Sequence, residues 1–160
     1  MKQAQPRPRQ TTPSAPRFGA IDIGSDTVHI LIGDLVGAAA TGVIRTVHSE
    51  SALLELGRVV NRRGRITGTA EAEVGQALER MVRRARKSGA VVLIAVTEAS
   101  RRAANGALVL GRLGRRVGAP IHLLSPAREA QLGFAGVRPA LPGGATSSSS
   151  IRVGHRPKRP

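Results

Sequence analysis

Hydrophobic positions along this chain follow two different spacings. Phe18–Ile23 and Thr27–Leu35 are apolar runs on either side of a short polar turn and predict a pair of strands. A third strand is expected over Val43–Ser49, after the Val36-Gly37 turn. Residues 50–66 carry Leu53, Leu54 and Leu56 before Gly57 and then an Arg/Gly/Asn stretch, which reads as a crossing loop. Over Thr67–Ser88 the spacing changes: Val74, Leu78, Met81, Val82 and Ala85 share one helical face, and Gly89 supplies a stop. Arg80, Arg83, Arg84, Arg86 and Lys87 lie opposite, as a solvated face would. Ala90–Thr97 is almost continuously apolar, the pattern of a strand covered on both sides.

Residues 101–117 predict another helix, with Leu108 or Val109, Leu113 and Val117 inward. Gly106, Gly111 and Gly114 weaken it by about 1 kcal/mol each relative to Ala. Pro120–Leu124 is a short strand. Ser125 is then placed to cap a last helix that has Pro126 at its first position and Leu132, Phe134 and Val137 along one side. The order β-β-β-α-β-α-β-α, without an internal repeat, predicts an α/β fold: a mixed five-stranded sheet with flanking helices.

The 160 residues suffice for one domain with a real core. Without cysteine, disulfides and thiolate metal sites are excluded. No apolar run reaches the roughly 18–20 residues a membrane span needs. Lys2, Arg7 and Arg9 are followed by no apolar segment of the secretory kind, so a cytoplasmic location is expected.

Of the net charge of +15, residues 1–17 supply four basic side chains and residues 138–160 five, with no acidic ones in either flank. Both flanks lack the apolar residues that would offset ordering entropy and are expected to be disordered. Such a surface favours polyanions. With two Phe and no Tyr or Trp there is little on which to stack bases, so nucleic acid is the weaker candidate.

Candidate chemistry concentrates at the first turn, Asp22-Ile-Gly-Ser25. Gly24 is able to adopt a positive φ and lets an anion approach the backbone. Successive amides there would form an anion-binding nest, and the Ser25 hydroxyl adds a donor. Asp22 accepts only, so it would hold Mg²⁺ or a water beside a phosphate rather than the phosphate itself. The same residues are equally ordinary in a plain hairpin.

Three blocks together resemble the N-terminal lobe of the exopolyphosphatase / guanosine pentaphosphate phosphohydrolase (Ppx/GppA) family. They are A-I-D-I-G-S-D-T-V-H-I-L-I at 20–32, A-V-T-E-A-S-R at 95–101 with Ala103, Asn105 and Gly106 following, and L-L-S-P-A-R-E-A-Q-L-G-F-A-G-V at 123–137. The resemblance spans about residues 18–142 and implies an actin-like, ribonuclease H-like lobe. It implies that Asp22, Gly24 and Ser25 sit at the phosphate and metal site, with Mg²⁺ as cofactor. Thr97 and Arg101 would face the same cleft, Arg101 as a phosphate clamp. Glu129 would position or deprotonate the attacking water.

Several positions depart from the family pattern. Asp26 stands where Asn is usual, Glu98 for Ser, Pro126 for Gly, and Arg128 for an acidic residue; His29 is compatible. In the family a second lobe opens with a D-x-G-G-G-S-T-E loop, whereas here the chain runs from Ala145 through a serine run to Pro160. One synonymous back-translation of residues 147–159, read two bases further on, spells V-V-V-D-P-G-G-S-S-T-E-A. A frameshift shortly before the codons for residues 145–149 is therefore expected, and sequencing the locus tests it.

The resemblance thus implies Mg²⁺-assisted hydrolysis of terminal phosphoanhydrides in polyphosphate or guanosine pentaphosphate. Full-length members would be dimeric. A chain without the second lobe is expected to bind weakly and turn over little. The alternative is a non-catalytic, basic polyanion-binding protein.

Overall fold

The computed structural model describes residues 15–37 and 42–137. The basic flanks at 1–14 and 138–160, including the tail assigned to a frameshift, lie outside the described residues. Among the described residues no helix is long and apolar enough to cross a membrane.

Three strands open the chain: β1 (Arg17–Ile23), β2 (Thr27–Val36) and β3 (Val43–Leu53). Two helices follow, α1 (Leu56–Arg63) and α2 (Gly68–Lys87), then β4 (Val91–Val96). The remainder is α3 (Glu98–Arg102), α4 (Gly106–Val117), β5 (Ile121–Leu123) and α5 (Pro126–Val137). The sheet order is β3-β2-β1-β4-β5. The first three strands pair antiparallel, while β1–β4 and β4–β5 are parallel. The mixed five-stranded sheet is the one expected. Its consequence for function is that the C-terminal ends of β1, β4 and β5 share one edge.

The chain divides into two compact units, residues 1–125 and residues 126–160. In the first, one face of the sheet presents Ile21, Ile23, Val28, Ile30, Ile32, Ile94 and Val96 to a single buried core. Val74, Leu78, Met81, Val82 and Ala85 of α2 fill that core, as their spacing predicted. Thr67 caps α2 by accepting the Ala70 amide at 3.3 Å. From α4 come Val109, Leu110, Leu113 and Val117, which settles the choice at 108 or 109, since Leu108 points to solvent.

Three expectations are corrected. Residues 56–63 are a helix, not a loop, and β3 runs on to Leu53. Only Leu56, Gly57 and Val60 of α1 are buried, too few inward positions for a periodic signal to emerge among its arginines. The helix expected over 101–117 is two helices. They are broken at 103–105, where the Asn105 side chain turns away to bond the backbone of Ile66. Finally, β4 is covered within this unit on one face only. Ile94 and Val96 are buried, but Val91 and Leu93 are 60% and 52% exposed, because the core and its helices lie against one side of the sheet.

The opposite end of β1 is tied by charge. Asp34 is 3% exposed and accepts from Arg17 Nε at 2.6 Å and from Arg45 Nη2 at 2.8 Å. Arg17 also donates to the Ser88 carbonyl at 3.1 Å, joining three strands to the turn after α2.

In the second unit, α5 starts at Pro126 as expected. Leu132 and Phe134 on its apolar side are exposed.

Candidate active site

The turn between β1 and β2 is held tightly. The Gly24 amide donates to the Thr27 carbonyl at 2.9 Å, closing the hairpin and leaving Ser25 and Asp26 at its tip. Gly24 does not adopt a positive φ, contrary to the freedom expected of it: among the described residues only Gly37, Gly64, Gly89, Gly118 and Glu55 do. The space there is tight, since a Cβ would lie 3.3 Å from the Thr27 carbonyl oxygen. Its own amide is thus spent on Thr27, within the hairpin.

Helix α1, absent from the sequence reading, abuts this tip. The Gly57 amide donates to the Ser25 carbonyl at 2.6 Å, and the Leu54 amide donates to that of Asp26 at 2.8 Å. A Cβ on Gly57 would come within 2.9 Å of the Ser25 Cβ, so only glycine permits this approach. The single cue in the sequence was a glycine after three leucines, with no periodicity to mark it as a contact point.

Thr97 stands beside the turn. β1 and β4 are in parallel register from Phe18↔Val91 to Ile23↔Val96, and the Thr97 amide donates to the Ile23 carbonyl at 3.2 Å. Arg101, one turn into α3, is half-buried, and its Nη1 donates to the carbonyl of Leu124 at the end of β5. Asp22 is exposed on the sheet face opposite the core, directly across from His29 in the β1–β2 register. His29 itself lies 2.9 Å, through Nε2, from the Ser49 hydroxyl.

Asp22, Gly24, Ser25, Thr97 and Arg101 therefore collect at the ends of parallel strands, where open α/β sheets bind their ligands. Glu129 is half-buried in the first turn of α5, in the second unit.

Two of the departures have partners of their own. The Glu98 carboxylate meets Arg102 Nε at 3.3 Å across one helical turn, which offsets its charge. Arg128 Nη1 is 3.4 Å from Gln131 Oε1 within α5.

Among the described residues no group of three His, Asp or Glu side chains could hold a metal alone. Mg²⁺ does not need one: it keeps waters and binds through one or two carboxylates plus substrate phosphates. An exposed Asp22 two residues before the glycine of the turn fits a metal that would arrive with a phosphate.

The model of the Ppx/GppA phosphatase family matches residues 35–147. The chain belongs to the Ppx/GppA phosphatase family. Curated relatives agree. Exopolyphosphatase 1 of Mycobacterium leprae and of Mycobacterium tuberculosis are each 32% identical over 123 residues, covering 76% of this chain and 35% of theirs. This Ppx/GppA chain thus spans about a third of the length of the curated relatives it matches. The fold is likewise similar to a Ppx/GppA family member from Aquifex aeolicus, at 26% identity and a TM-score of 0.70, over 77% of this chain and 39% of that one. An exopolyphosphatase from Cytophaga hutchinsonii gives 29% identity and a TM-score of 0.69, over 77% and 38% respectively. The lobe thus has the actin-like, ribonuclease H-like fold of these Ppx/GppA structures.

Proposed function

We propose that this chain provides the phosphate-binding lobe of a Ppx/GppA-type phosphohydrolase acting on the terminal phosphoanhydride of polyphosphate or guanosine pentaphosphate. The observation that carries this reading is the abutment of the Ser25 turn and Thr97 at the ends of adjacent parallel strands. In it, the Ser25 hydroxyl and the tip amides of 25 and 26 hold non-bridging oxygens of the terminal phosphoryl group. Thr97 adds a second hydroxyl from the β4 side. Arg101, anchored by Nη1 on the Leu124 carbonyl, presents its planar guanidinium to the phosphate. Glu129 aligns a water and takes its proton as the oxygen attacks phosphorus opposite the leaving oxygen. The P–O anhydride bond breaks, releasing orthophosphate and a chain one unit shorter. Asp22 would hold Mg²⁺, which would supply positive charge to offset that of the phosphate.

Phosphate release from polyphosphate in the presence of Mg²⁺, abolished in Glu129→Ala, is the expected result. The net charge of +15 favours the second reading, a non-catalytic polyanion binder. Salt-sensitive binding that survives Glu129→Ala and disappears on removing residues 1–14 and 145–160, which spares Arg17 of β1, would support that instead.

A further inference from the structure

A groove of about 490 Å³ opens between the end of α1 and the start of α2, lined by Val59, Arg62, Arg63 and Thr67. The connection between the two helices beside it is tied to the start of α4. The Asn105 amide group makes two bonds to Ile66, accepting from its N–H at 2.8 Å and donating to its carbonyl at 2.9 Å. The Ala104 amide donates to the Gly64 carbonyl at 2.9 Å. Several arginines elsewhere in this unit are neutralised in pairs, Arg80 on Glu50, Arg112 on Glu71 and Arg116 on Glu79, whereas among the described residues Arg83 and Arg115 are not. Arg62, Arg63 and the neighbouring Arg65 are exposed, and among the described residues no carboxylate pairs with them. The place of Arg62 and Arg63 at the end of α1 suits the helix dipole, but that does not account for the groove these two line.

Helix α1 connects this groove to the candidate active site. It begins against Ser25, through Gly57, and its eight residues extend about 12 Å to the arginines. Arg58 and Arg62 follow one another a turn apart along it.

We propose that the groove is a second anion site, which binds the interior of a linear polyphosphate whose terminal unit lies at the Ser25 turn. This deepens the function proposed above and rests on it. It also selects between the two substrate classes. The groove offers guanidinium groups and no aromatic surface, the chain having only Phe18 and Phe134 of that kind, so it suits a repeating phosphate and not a nucleobase.

The test uses the full chain with two probes, tripolyphosphate and long-chain polyphosphate, titrated calorimetrically at several salt concentrations. In the variant carrying Arg62→Gln, Arg63→Gln and Arg65→Gln, long-chain affinity should fall about tenfold or more, and the salt slope should shrink by about two. Tripolyphosphate affinity should not change. Ser25→Ala should weaken both probes. Long polyphosphate, but not tripolyphosphate, should protect Arg62 and Arg63 from phenylglyoxal, which separates the groove from the basic flanks.

Equal losses for both probes, undiminished long-chain binding, or absent protection would each overturn the groove. Failure of Ser25→Ala to weaken tripolyphosphate, with the arginine effects intact, would overturn the reading of the turn while leaving the groove in place. No binding of either probe would overturn both.

Discussion

Asn105 joins two distant segments with one side chain, bonding both backbone groups of Ile66 from 39 residues away. Removing it leaves an N–H and a carbonyl in a partly buried loop without their partner. Asn105→Ala is therefore expected to cost about 1–3 kcal/mol in urea denaturation, and a change below a few tenths would remove Asn105 from this role. Asp34 acts through charge. Hydrogen bonds from Arg17 and then Arg45 hold its carboxyl well below the usual carboxylate range. Because the folded value lies below the unfolded one, this stabilisation is complete above about pH 4 and is lost as pH falls from there toward the folded value. Glu50, Glu71 and Glu79 are lowered by arginine hydrogen bonds and act with the same sign. Asp34→Asn should thus lower Tm at neutral pH and flatten, without abolishing, the decline of Tm in acid. An acid branch as steep as that of the unaltered chain would contradict this.

At the scale of elements, α2 was legible because eight of its twenty residues are buried and the large ones recur at helical spacing. Leu78, fully buried at its centre, should cost about 2–5 kcal/mol as Leu78→Ala. Helix α1 was not legible, because what holds it is a tertiary contact. Its start is set by Gly57 against Ser25 and its end by Gly64 in the left-handed region, with two large apolar side chains inward between them. β4 misled for the opposite reason. An unbroken run of apolar residues carries no period, so the exposure of Val91 and Leu93 could not be read from it. Among the candidate residues, the turn at Asp22–Ser25 was visible as a motif, and its adjacency to Thr97 came from the parallel β1–β4 pairing. That Gly24 keeps a negative φ and spends its amide on Thr27 depended on hairpin geometry, which composition does not encode. Gly57→Ala tests the α1 contact directly. The added Cβ must displace Ser25 or tilt the helix, costing about 1–3 kcal/mol and weakening tripolyphosphate binding at the same time. A stability loss with intact binding would show that α1 does not shape the turn.

The whole molecule divides its candidate chemistry between two units. Every buried apolar side chain of the described residues lies between Ile21 and Val117, inside the unit that ends at Ser125. Asp22, Ser25, Thr97 and Arg101 belong to that unit, together with the Leu124 carbonyl that Arg101 holds. Glu129 belongs to the other. On the roles proposed above, a cut after Ser125 should separate binding from hydrolysis. A chain ending there retains the whole core and should unfold in one cooperative urea transition, with a slope of about 1–3 kcal/mol per molar. It should keep the tripolyphosphate affinity of the full chain, because the donors assigned to the phosphate are all present. It should release no orthophosphate, because the group assigned to deprotonate water is gone. Cooperative unfolding with lost affinity would mean that residues beyond 125 contribute donors to the phosphate. Retained hydrolysis would remove Glu129 from the reaction and place the base among the residues of the first unit.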